Sequence, residues 1–597
     1  MFTSLALIAQ SIYHESIEPF AYSHRGDLYL RLRIGTRLVD RVEVLHFDKF
    51  LEDETQVITP ASLYAKDGTT HDIYQAHLVR DTKRFKYYFA MHVGRDTYWY
   101  SRAGVSDTMP KDQSEAFEVP YLGERDTYEP PEWTVGTSYY QIFPERFKKG
   151  KSSKTDRRKL AKWDSTPTTT SFYGGNLQGV IEELDYLQGL GVEVLYFTPI
   201  FKAPSNHKYD TIDYFSIDPH FGTEEDFQTL VKECHQRGMR IVLDAVFNHM
   251  GAEHPIFKDL LKKGEQSEYA DWIYAKSWPL SLQARNYETF SYVPQMPKWR
   301  TANPQVEDYL CKVGEHWIER ANIDGWRLDV SDEVEHTFWK HFRTRIKTRK
   351  SDALICGEIW QVATPWLRGD EFDSVMNYPF TKAVTEWLAK QTIDAEEFAA
   401  MMEQIRIRYP EPVLPVLWNL LDSHDTPRLL TECGENKTQM KLASFMQFTS
   451  VGSPVLYYGD EVGMSGGQDP LCRGGMVWEE KKQDQELLAH YQSLFALRKQ
   501  YAALQKGNFR PAFTGVFKQF YAFTRTLYDT ATNERQQTIV CFLNNGTERL
   551  VLQWVDQQIP DGVYECVYGE QKGERVYPDQ PLTLPAKSAS MWLMVGD

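Results

Sequence analysis

The sequence predicts an α/β protein: a (β/α)8 TIM barrel with a small lobe inserted after its third strand, flanked by amino-terminal and carboxy-terminal β-sandwich domains. Three observations predict this architecture. The two ends of the chain alternate apolar and polar residues with a period of two. The part between them alternates short apolar runs with amphipathic helical segments, which is typical of parallel strands joined by crossover helices. Four polar motifs follow apolar runs in this middle part, where a barrel presents its reactive residues.

The amino-terminal region, residues 1–125, has the pattern of half-buried antiparallel strands. Leu28, Leu30, Leu32 and Ile34 alternate with polar or aromatic neighbours. Such alternation predicts one face on a core and one face toward solvent, hence a sandwich. Residues 129–132, with two adjacent prolines, are predicted to be a linker.

Residues 126–505 are predicted to form the barrel. Its eight strands are expected near positions 138, 193, 241, 324, 353, 374, 416 and 454. Gly191 is expected to end a helix, and Thr223 with Asp226 resembles a capping box that begins the next one. The longest insertion, about 250–300, is rich in Trp, Tyr and Pro and is expected to form a small lobe over the barrel mouth. Residues 506–597 return to strand periodicity and are predicted to form the second sandwich.

Composition narrows the possible partners. The chain has 597 residues, 42% hydrophobic and 25% charged, with a formal charge of −16. This charge disfavours nucleic acid and anionic membranes, which need clustered Lys and Arg, and no apolar run is long enough to span a membrane. Seven scattered cysteines predict reduced thiols and a cytoplasmic location. The apolar start has no basic residue before Arg25, so no signal peptide is predicted.

Four short motifs carry the candidate chemistry. They are Asp244–His249, Gly325–Asp329, Gly357–Trp360 and Ser423–Asp425, and each follows or completes an apolar run. Cleavage of a glycosidic bond needs two carboxyl groups, one that protonates the departing oxygen and one that attacks or shields the sugar cation. The four motifs in this order therefore predict a glycosidase site.

Asp329 and Glu358 are the candidate pair. Arg327 lies two residues before Asp329 on a strand, so both face the barrel interior, and the arginine is expected to keep Asp329 ionised as a nucleophile requires. Asp244 is placed to support Arg327. Glu358 follows an apolar run, which suits a general acid. The alternatives are a structural ion pair for Arg327 and Asp329, and a helix-capping role for Glu358.

The flanking polar residues have weaker individual signals. Asp425 is the candidate second anion that stabilises positive charge in the transition state, although His424 and Asp425 equally fit a turn with an Asx cap. Asn248 and His249 end the third predicted strand, and a histidine in that position is often a structural group. Trp360 could stack on a sugar or simply pack.

The chain resembles the α-amylase superfamily of glycoside hydrolases, and within it the cyclomaltodextrinases, neopullulanases and maltogenic amylases. The resemblance extends from about residue 12 onward. The segments that carry it are Tyr140-Gln-Ile-Phe-Pro-Glu-Arg-Phe147, Phe172-Tyr-Gly-Gly-Asn-Leu177, Ser205-Asn-His-Lys-Tyr-Asp-Thr211, Val293-Pro-Gln-Met-Pro-Lys298 and Gly466-Gly-Gln-Asp-Pro-Leu-Cys-Arg473. It implies that the first domain is a starch-binding-like module that dimerises the protein.

The resemblance also implies a role for each site residue. Asp329 would be the nucleophile, Glu358 the acid/base and Asp425 the transition-state stabiliser. The other implied residues bind substrate. His249, Arg327 and His424 would hold the sugar being cleaved, Tyr209 would stack beneath it, and Asp244 and Asn248 belong to the same group of substrate-binding residues. Asp469 and Arg473 would bind sugars toward the non-reducing side. Phe290, Glu333 and Trp360 would shape the leaving-group side.

The chain departs from the resembled subfamily in three places, one of which is Gln361, directly after Trp360, where His is common. The loop after the first strand, where the subfamily usually has a calcium-binding loop rich in Asn and Asp, reads Lys148-Lys-Gly-Lys-Ser-Ser-Lys154. Ammonium groups cannot ligate a cation, so neither calcium nor any other metal or cofactor is expected there. The segment Ser331-Asp332-Glu333 stands where Ala-Asn-Glu is more frequent, which bears on the balance between hydrolysis and glycosyl transfer.

The expected function is a retaining α-glucan hydrolase. It would open cyclodextrins, cleave α-1,4 bonds of maltooligosaccharides and pullulan, and carry out some transglycosylation. A glycosyltransferase or isomerase on the same barrel is the first alternative, because such enzymes share the three carboxylates. A non-catalytic, amylase-like binding protein is a more remote one, because such proteins have usually lost a catalytic carboxylate.

Overall fold

The structure is a computed structural model that describes residues 4–51, 55–79, 82–123, 126–151, 158–512, 518–529, 532–553, 559–577 and 580–596. By internal packing the chain divides into two units. One comprises Met1–Pro130, Val362–Asp373 and Ala399–Leu414, and the other comprises Pro131–Gln361, Ser374–Phe398 and Pro415–Asp597. The first division falls inside the predicted linker. Two segments of the region predicted as barrel thus pack with the amino-terminal strands.

The first unit contains a nine-stranded antiparallel sheet that follows a short helix, Ser4–Ser11. Its strands are Ala21–His24, Asp27–Gly35, Arg41–Asp48, Val57–Asp67, His71–Leu78, Phe85–Val93, Asp96–Ser101, Gly104–Ser106 and Phe117–Val119. Leu28, Leu30, Leu32 and Ile34 are all buried in one core with Phe89, as the period of two predicts.

Arg31 differs from the expectation for its face of the strand. The alternating pattern places Arg31 on the face of the strand that is predicted to be exposed, yet its side chain is buried. Its Nη1 donates hydrogen bonds to the carbonyl oxygens of Ile407 (3.0 Å) and Tyr409 (2.8 Å). The segment Ala399–Leu414 therefore covers the face that the sequence pattern assigned to solvent, and the arginine satisfies its carbonyls.

The second unit is built on eight parallel strands, one at each predicted position. In chain order they are Tyr139–Ile142, Val194–Phe197, Arg240–Ala245, Gly325–Leu328, Leu354–Gly357, Ser374–Val375, Trp418–Leu420 and Ser453–Tyr457. Consecutive strands pair in parallel, the first also pairs with the eighth, and a parallel bridge from Met376 to Trp418 joins the sixth and seventh. The sheet is therefore a closed barrel, as predicted.

Helices join most of the barrel strands. Those of the second unit and its boundary are Pro144–Phe147, Leu177–Glu182, Leu184–Leu190, Glu224–Gln236, Pro255–Lys263, Pro304–Ala321, His336–Arg349, Tyr378–Val384, Ala395–Arg408, Leu429–Glu432, Lys437–Thr449, Gln485–Gln500 and Ala502–Lys506. Along the uninterrupted described stretch 158–512, the fifth and sixth strands have only the 3-10 turn Thr364–Trp366 between them. Among the described residues, no helix is both long and apolar enough to cross a lipid bilayer.

Local sequence signals fix several of these boundaries. Thr223 accepts a hydrogen bond from the Asp226 amide, and the Asp226 carboxylate accepts one from the Thr223 amide, so the predicted capping box begins the helix Glu224–Gln236. Gly191 ends its helix in the left-handed conformation with φ 101°. A side chain there would be strained, and its Cβ would lie 2.8 Å from Phe495 Cβ.

The inserted lobe follows the third barrel strand. It begins with the helix Pro255–Lys263. An isolated antiparallel bridge from Thr289 to Pro297 lies within the lobe, and another from His249 to Lys298 joins the lobe to the end of the third strand. After the eighth strand and its helices, a six-stranded antiparallel sheet and a two-stranded sheet enclose a second β core, which includes Phe520, Val540 and Trp592. The strands of this domain are Asn508–Ala512, Phe520–Tyr528, Arg535–Asn544, Leu550–Gln553, Val563–Tyr568, Arg575–Val576, Pro581–Leu584 and Ser588–Gly596.

Candidate active site

The predicted site residues lie at the carboxyl ends of the barrel strands. Asp329 follows the fourth strand, Glu358 the fifth and Asp425 the seventh, while Asp244 and Arg327 face each other in the register of the third and fourth strands. Parallel strands deliver their carboxyl ends to one mouth, so residues more than a hundred positions apart in the chain meet there.

Arg327 is the hub of this cluster. Its side chain is fully buried. Its Nη1 lies 2.9 Å from Asp329 Oδ1 and 3.0 Å from Asp244 Oδ2, and its Nη2 lies 2.7 Å from Glu358 Oε1. One planar guanidinium therefore contacts three carboxyl groups. The predicted support of Arg327 by Asp244 is present in the structure, and so is the predicted pairing of Arg327 with Asp329.

Burial and Glu358, as well as Arg327, determine the charge state of Asp329. Burial raises the pKa of Asp329 well above its ordinary value, the negative charge of Glu358 raises it further, and Arg327 opposes both. The expectation that Arg327 by itself keeps this carboxylate ionised is therefore incomplete. The nearby carboxyl group of Glu358 and burial together outweigh the guanidinium, so the pKa of Asp329 lies above that of an isolated carboxylate.

Glu358 has more polar surroundings than its sequence neighbours suggest. Besides the Arg327 contact, its Oε2 accepts a hydrogen bond from the Val330 amide at 3.0 Å, and its main-chain oxygen accepts one from Ser331 Oγ at 2.8 Å. Successive side chains of an extended segment point to opposite sides, so the buried Ile359 beside it in sequence need not line its carboxyl group. The apolar frame predicted from the sequence is thus only part of its environment.

Asp244 is held by two tyrosines as well as by Arg327. The hydroxyl groups of Tyr196 and Tyr209 donate to Asp244 Oδ2 at 2.7 Å and 3.0 Å. Burial raises the pKa of Asp244 to about 6. Tyr196 was not among the predicted site residues, because it lies in the second strand, where all four residues are buried and no alternation marks the face that each side chain takes.

Tyr209 and His424 form a stacked pair. Their ring centroids are 5.4 Å apart with an interplanar angle of 7°, and Tyr209 Oη lies 2.6 Å from His424 Nε2. Burial lowers the pKa of His424 well below its usual value, so the imidazole is neutral. Gln141 Nε2 lies 2.7 Å from His424 Nδ1, so the imidazole is also held through its second ring nitrogen. Gln141 was also missed, although it lies inside a motif that supported the resemblance.

Asp425 is braced by two neighbours. His424 Nε2 lies 3.0 Å from Asp425 Oδ2, and Arg473 Nη2 lies 3.2 Å from Asp425 Oδ1. Arg473 Nη1 also contacts Asp469 Oδ1 at 3.0 Å, and its Nε donates to the His424 carbonyl oxygen at 2.7 Å. The structure therefore brings the predicted pair Asp469 and Arg473 beside the third carboxylate.

The end of the third strand and the inserted lobe together supply further predicted substrate-binding residues. His249 Nε2 lies 3.1 Å from the Tyr209 carbonyl oxygen, and the Phe290 ring stacks on the imidazole with a centroid distance of 5.1 Å. Burial lowers the pKa of His249 to about 3, so this histidine is also neutral. Lys298 Nζ donates to Asn248 Oδ1 and to the Glu333 carbonyl oxygen at 2.7 Å, which joins the lobe to the segment after Asp329.

Trp360 and Glu333 are the most exposed of the predicted site residues near Glu358. The Trp360 side chain is 53% exposed, and its ring lies face to face with Tyr378 at 3.9 Å. Glu333 Oε2 lies 3.5 Å from Lys298 Nζ. An aromatic ring fixed by stacking and open to solvent is suited to receive a sugar face.

Two family models match the chain. The model of the α-amylase catalytic domain matches residues 141–480, which include every candidate site residue. The chain belongs to the α-amylase family. The model of the α-amylase N-terminal ig-like domain matches residues 7–123, which correspond to the amino-terminal strands.

Individual relatives within the α-amylase family are similar over most of their length. A cyclomaltodextrinase of Geobacillus thermopakistaniensis (strain MAS1) is 46% identical over 84% of this chain and 86% of the relative. Neopullulanase 2 of Thermoactinomyces vulgaris is 43% identical over 95% of this chain and 96% of the relative. The solved structure of a cyclomaltodextrinase superposes with a TM-score of 0.90 at 39% identity, covering 98% of this chain and all of that one. These comparisons confirm the resemblance and the fold predicted from the sequence, and the chain is a glycoside hydrolase of this type.

Proposed function

We propose that this glycoside hydrolase opens cyclodextrins and cleaves α-1,4 bonds of maltooligosaccharides and pullulan with net retention, and that it transfers some glycosyl groups to sugar acceptors. The observation that carries the proposal is the contact of one guanidinium, Arg327, with both Asp329 and Glu358. Two carboxyl groups on one guanidinium suit the separation of about 5 Å that retaining enzymes use. The names of the relatives supply the substrate class.

The first step is attack by Asp329 on the anomeric carbon. Glu358 donates its proton to the glycosidic oxygen, the bond to that oxygen breaks, and a covalent glycosyl ester forms on Asp329. Positive charge develops on the sugar ring during this step, and the Asp425 carboxylate is the additional anion that stabilises it. Burial keeps His249 and His424 neutral, so these two rings add no positive charge that would oppose the charge of the sugar.

The second step reverses these roles. Glu358, now a carboxylate, removes a proton from water, and the resulting oxygen attacks the anomeric carbon and displaces Asp329. A sugar hydroxyl that replaces the water gives transglycosylation. The exposed ring of Trp360, stacked on Tyr378, supports this second outcome because it provides a fixed surface for an acceptor sugar next to the acid/base.

The decisive experiment compares substrates side by side. Purified protein is assayed on β-cyclodextrin, pullulan and soluble starch, and the anomeric configuration of the first products is followed by NMR. We expect turnover of β-cyclodextrin and α-configured products. Inverted products would refute the double displacement, and absence of hydrolysis on all three glucans would refute the proposed activity. Analysis of the products formed from maltotriose distinguishes a predominant glycosyltransferase or isomerase from a hydrolase.

We further propose that the loop after the first barrel strand works without calcium. The described part of this loop includes Lys148, whose Nζ lies 2.6 Å from Glu183 Oε1. The Gly150 and Gly179 amides donate to Asn176 Oδ1 at 3.1 Å and 2.8 Å. An ammonium group and two amides thus already bind these side-chain oxygen atoms beside the loop, which leaves them less available to a cation. Residues 152–154 of the predicted lysine-rich loop lie outside the described residues.

Two further proposals concern assembly and location. A homodimer formed through the amino-terminal unit is supported by the apolar side chains that this unit exposes, among them Phe50, Ile58, Val79 and Tyr121. Deletion of residues 1–125 is a poor test, because it would strip Arg31 from the carbonyls of the segment Ala399–Leu414. A cytoplasmic location is supported by the cysteines, all seven of which are buried free thiols.

A further inference from the structure

The residue after the proposed nucleophile has an unusual backbone conformation. Val330 has φ 45° and ψ 45°, in the left-handed region. A β-branched residue is strained there, and such strain persists only where the surrounding structure enforces it. The neighbours on both sides are fixed: the Asp329 amide donates to the Ala245 carbonyl oxygen at 3.0 Å, and Trp339 Nε1 donates to the Ser331 carbonyl oxygen at 2.9 Å.

This conformation directs the Val330 amide at the acid/base. The amide donates to Glu358 Oε2 at 3.0 Å, while the other oxygen, Oε1, lies 2.7 Å from Arg327 Nη2. Both oxygens of the Glu358 carboxyl group are therefore held by the short segment that also carries Asp329.

Ser331 adds a second connection between the same two segments. Its side chain is fully buried, and its Oγ donates to the main-chain oxygen of Glu358 at 2.8 Å. Alanine, which is more frequent at this position in the resembled subfamily, has no hydroxyl group and cannot make this bond. The connection is thus a feature of this chain's own sequence.

We propose that Val330 and Ser331 are positioning residues that fix the carboxyl group of Glu358 relative to Asp329, Val330 through its amide and Ser331 through the backbone of Glu358. This inference rests on the proposed retaining mechanism. The Val330 amide fixes one oxygen of the Glu358 carboxyl group. The Ser331 hydroxyl, through the Glu358 backbone, keeps this carboxyl group within reach of the leaving oxygen.

The test separates acid catalysis from nucleophilic attack by the choice of leaving group. β-Cyclodextrin needs protonation of its glycosidic oxygen, whereas α-maltosyl fluoride releases fluoride with little acid assistance. For Ser331→Ala we expect kcat on β-cyclodextrin to fall about fivefold, the effect of one lost hydrogen bond, with KM nearly unchanged. The rate on α-maltosyl fluoride should stay the same, and Ser331→Thr, which keeps the hydroxyl, should restore kcat.

Ser453→Ala is the matched control. Ser453 is also fully buried and donates its hydroxyl to a main-chain oxygen, that of Thr134 at 3.1 Å, but it lies at the start of the eighth strand, at the opposite end of the barrel. We expect its kcat to match that of the parent on both substrates. An equal loss on both substrates in Ser331→Ala, no loss at all, or the same loss in Ser453→Ala would overturn the positioning role of Ser331.

Val330→Gly tests the backbone. Glycine adopts the left-handed conformation without strain and keeps the amide that binds Glu358. We expect unchanged or higher thermal stability together with an unchanged kcat on β-cyclodextrin, because the surrounding structure, and not the valine side chain, enforces this conformation. A lower kcat would show that the amide alone does not fix Glu358 and would overturn the role assigned to it. If the parent protein hydrolyses neither β-cyclodextrin nor α-maltosyl fluoride, the proposed function fails and this inference with it; a parent active on both, with unselective variants, contradicts the inference alone.

Discussion

Replacement of Arg327 by lysine is the sharpest test of the site. The guanidinium contacts Asp329, Asp244 and Glu358 at 2.9, 3.0 and 2.7 Å. Lysine keeps the positive charge, but its single ammonium nitrogen cannot reproduce a planar fork that reaches carboxyl groups on two sides. Because Nη1 makes two of these contacts and Nη2 makes the third, we expect Arg327→Lys to lose at least the Nη2 contact with Glu358.

The structure sets the size of the effect. A contact with a charged group contributes about 1.5–3 kcal/mol, which is the expected loss for the Nη2 contact. Each 1.4 kcal/mol changes a rate about tenfold. We therefore expect kcat/KM on β-cyclodextrin to fall at least about 10–10²-fold. The assay is initial-rate kinetics on purified protein, together with thermal unfolding to exclude a loss of fold.

Arg345→Lys is the control for this prediction. Arg345 also binds two carboxylates, Glu315 and Asp308, but on the outer helices of the barrel and with a partly exposed side chain. Exposed ion pairs contribute little, so its kcat/KM should stay within about twofold of the parent. An Arg327→Lys protein that retains activity within about threefold of the parent would refute the hub role of the guanidinium.

Four other outcomes are expected. Asp329→Asn and Glu358→Gln should each lower kcat at least about a thousandfold on every α-glucan without unfolding the protein, because each removes a step that no other group supplies; near-parental rates would contradict the assignment. For Asp244→Asn, we expect a pH-dependent change in stability. Burial raises the pKa of Asp244 from 3.8 to about 6, so the parent loses stability as the pH rises through this window and the variant does not. The difference in their free energies of unfolding should shift in favour of the variant by about 2 kcal/mol between about pH 4 and pH 7, as denaturant unfolding can measure; an unchanged difference would contradict the burial argument. A calcium chelator should leave activity and melting temperature unchanged, and a decrease reversed by added calcium would show a site. Light scattering of the full-length protein at micromolar concentration should give the mass of a dimer; a monomer that still prefers cyclodextrin to starch would rule out dimer-based selectivity.

The barrel could be predicted from the sequence because its signals are local. Each strand is a short apolar run between turn or capping residues, and all eight occur where the sequence places them. The candidate reactive residues could be predicted in the same way, because a carboxylate directly after such a run lies at the barrel mouth wherever the run lies in the chain. Asp329 and Glu358 are found this way without any knowledge of their contacts.

The remaining site residues depend on contacts that no local pattern encodes. Tyr196 lies within a strand that is buried on both faces, so hydrophobicity does not tell which residues point inward. Gln141 and Ser331 matter through single hydrogen bonds to His424 and to the Glu358 backbone, and these bonds exist only once the barrel is closed. Arg31 in the first unit is similar, because a segment almost four hundred residues away covers it.

The electrostatics of the site favour a substrate that becomes positively charged. Burial keeps His249 and His424 neutral, although a histidine on the surface would often be charged in mildly acidic solution. Arg327 is surrounded by Asp244, Asp329 and Glu358, so its single charge is more than balanced. Under the proposed mechanism, neutral histidines leave the excess negative charge available for the anomeric carbon. Charged histidines would oppose the positive charge that forms in the transition state, so the burial of these two rings supports the proposed chemistry.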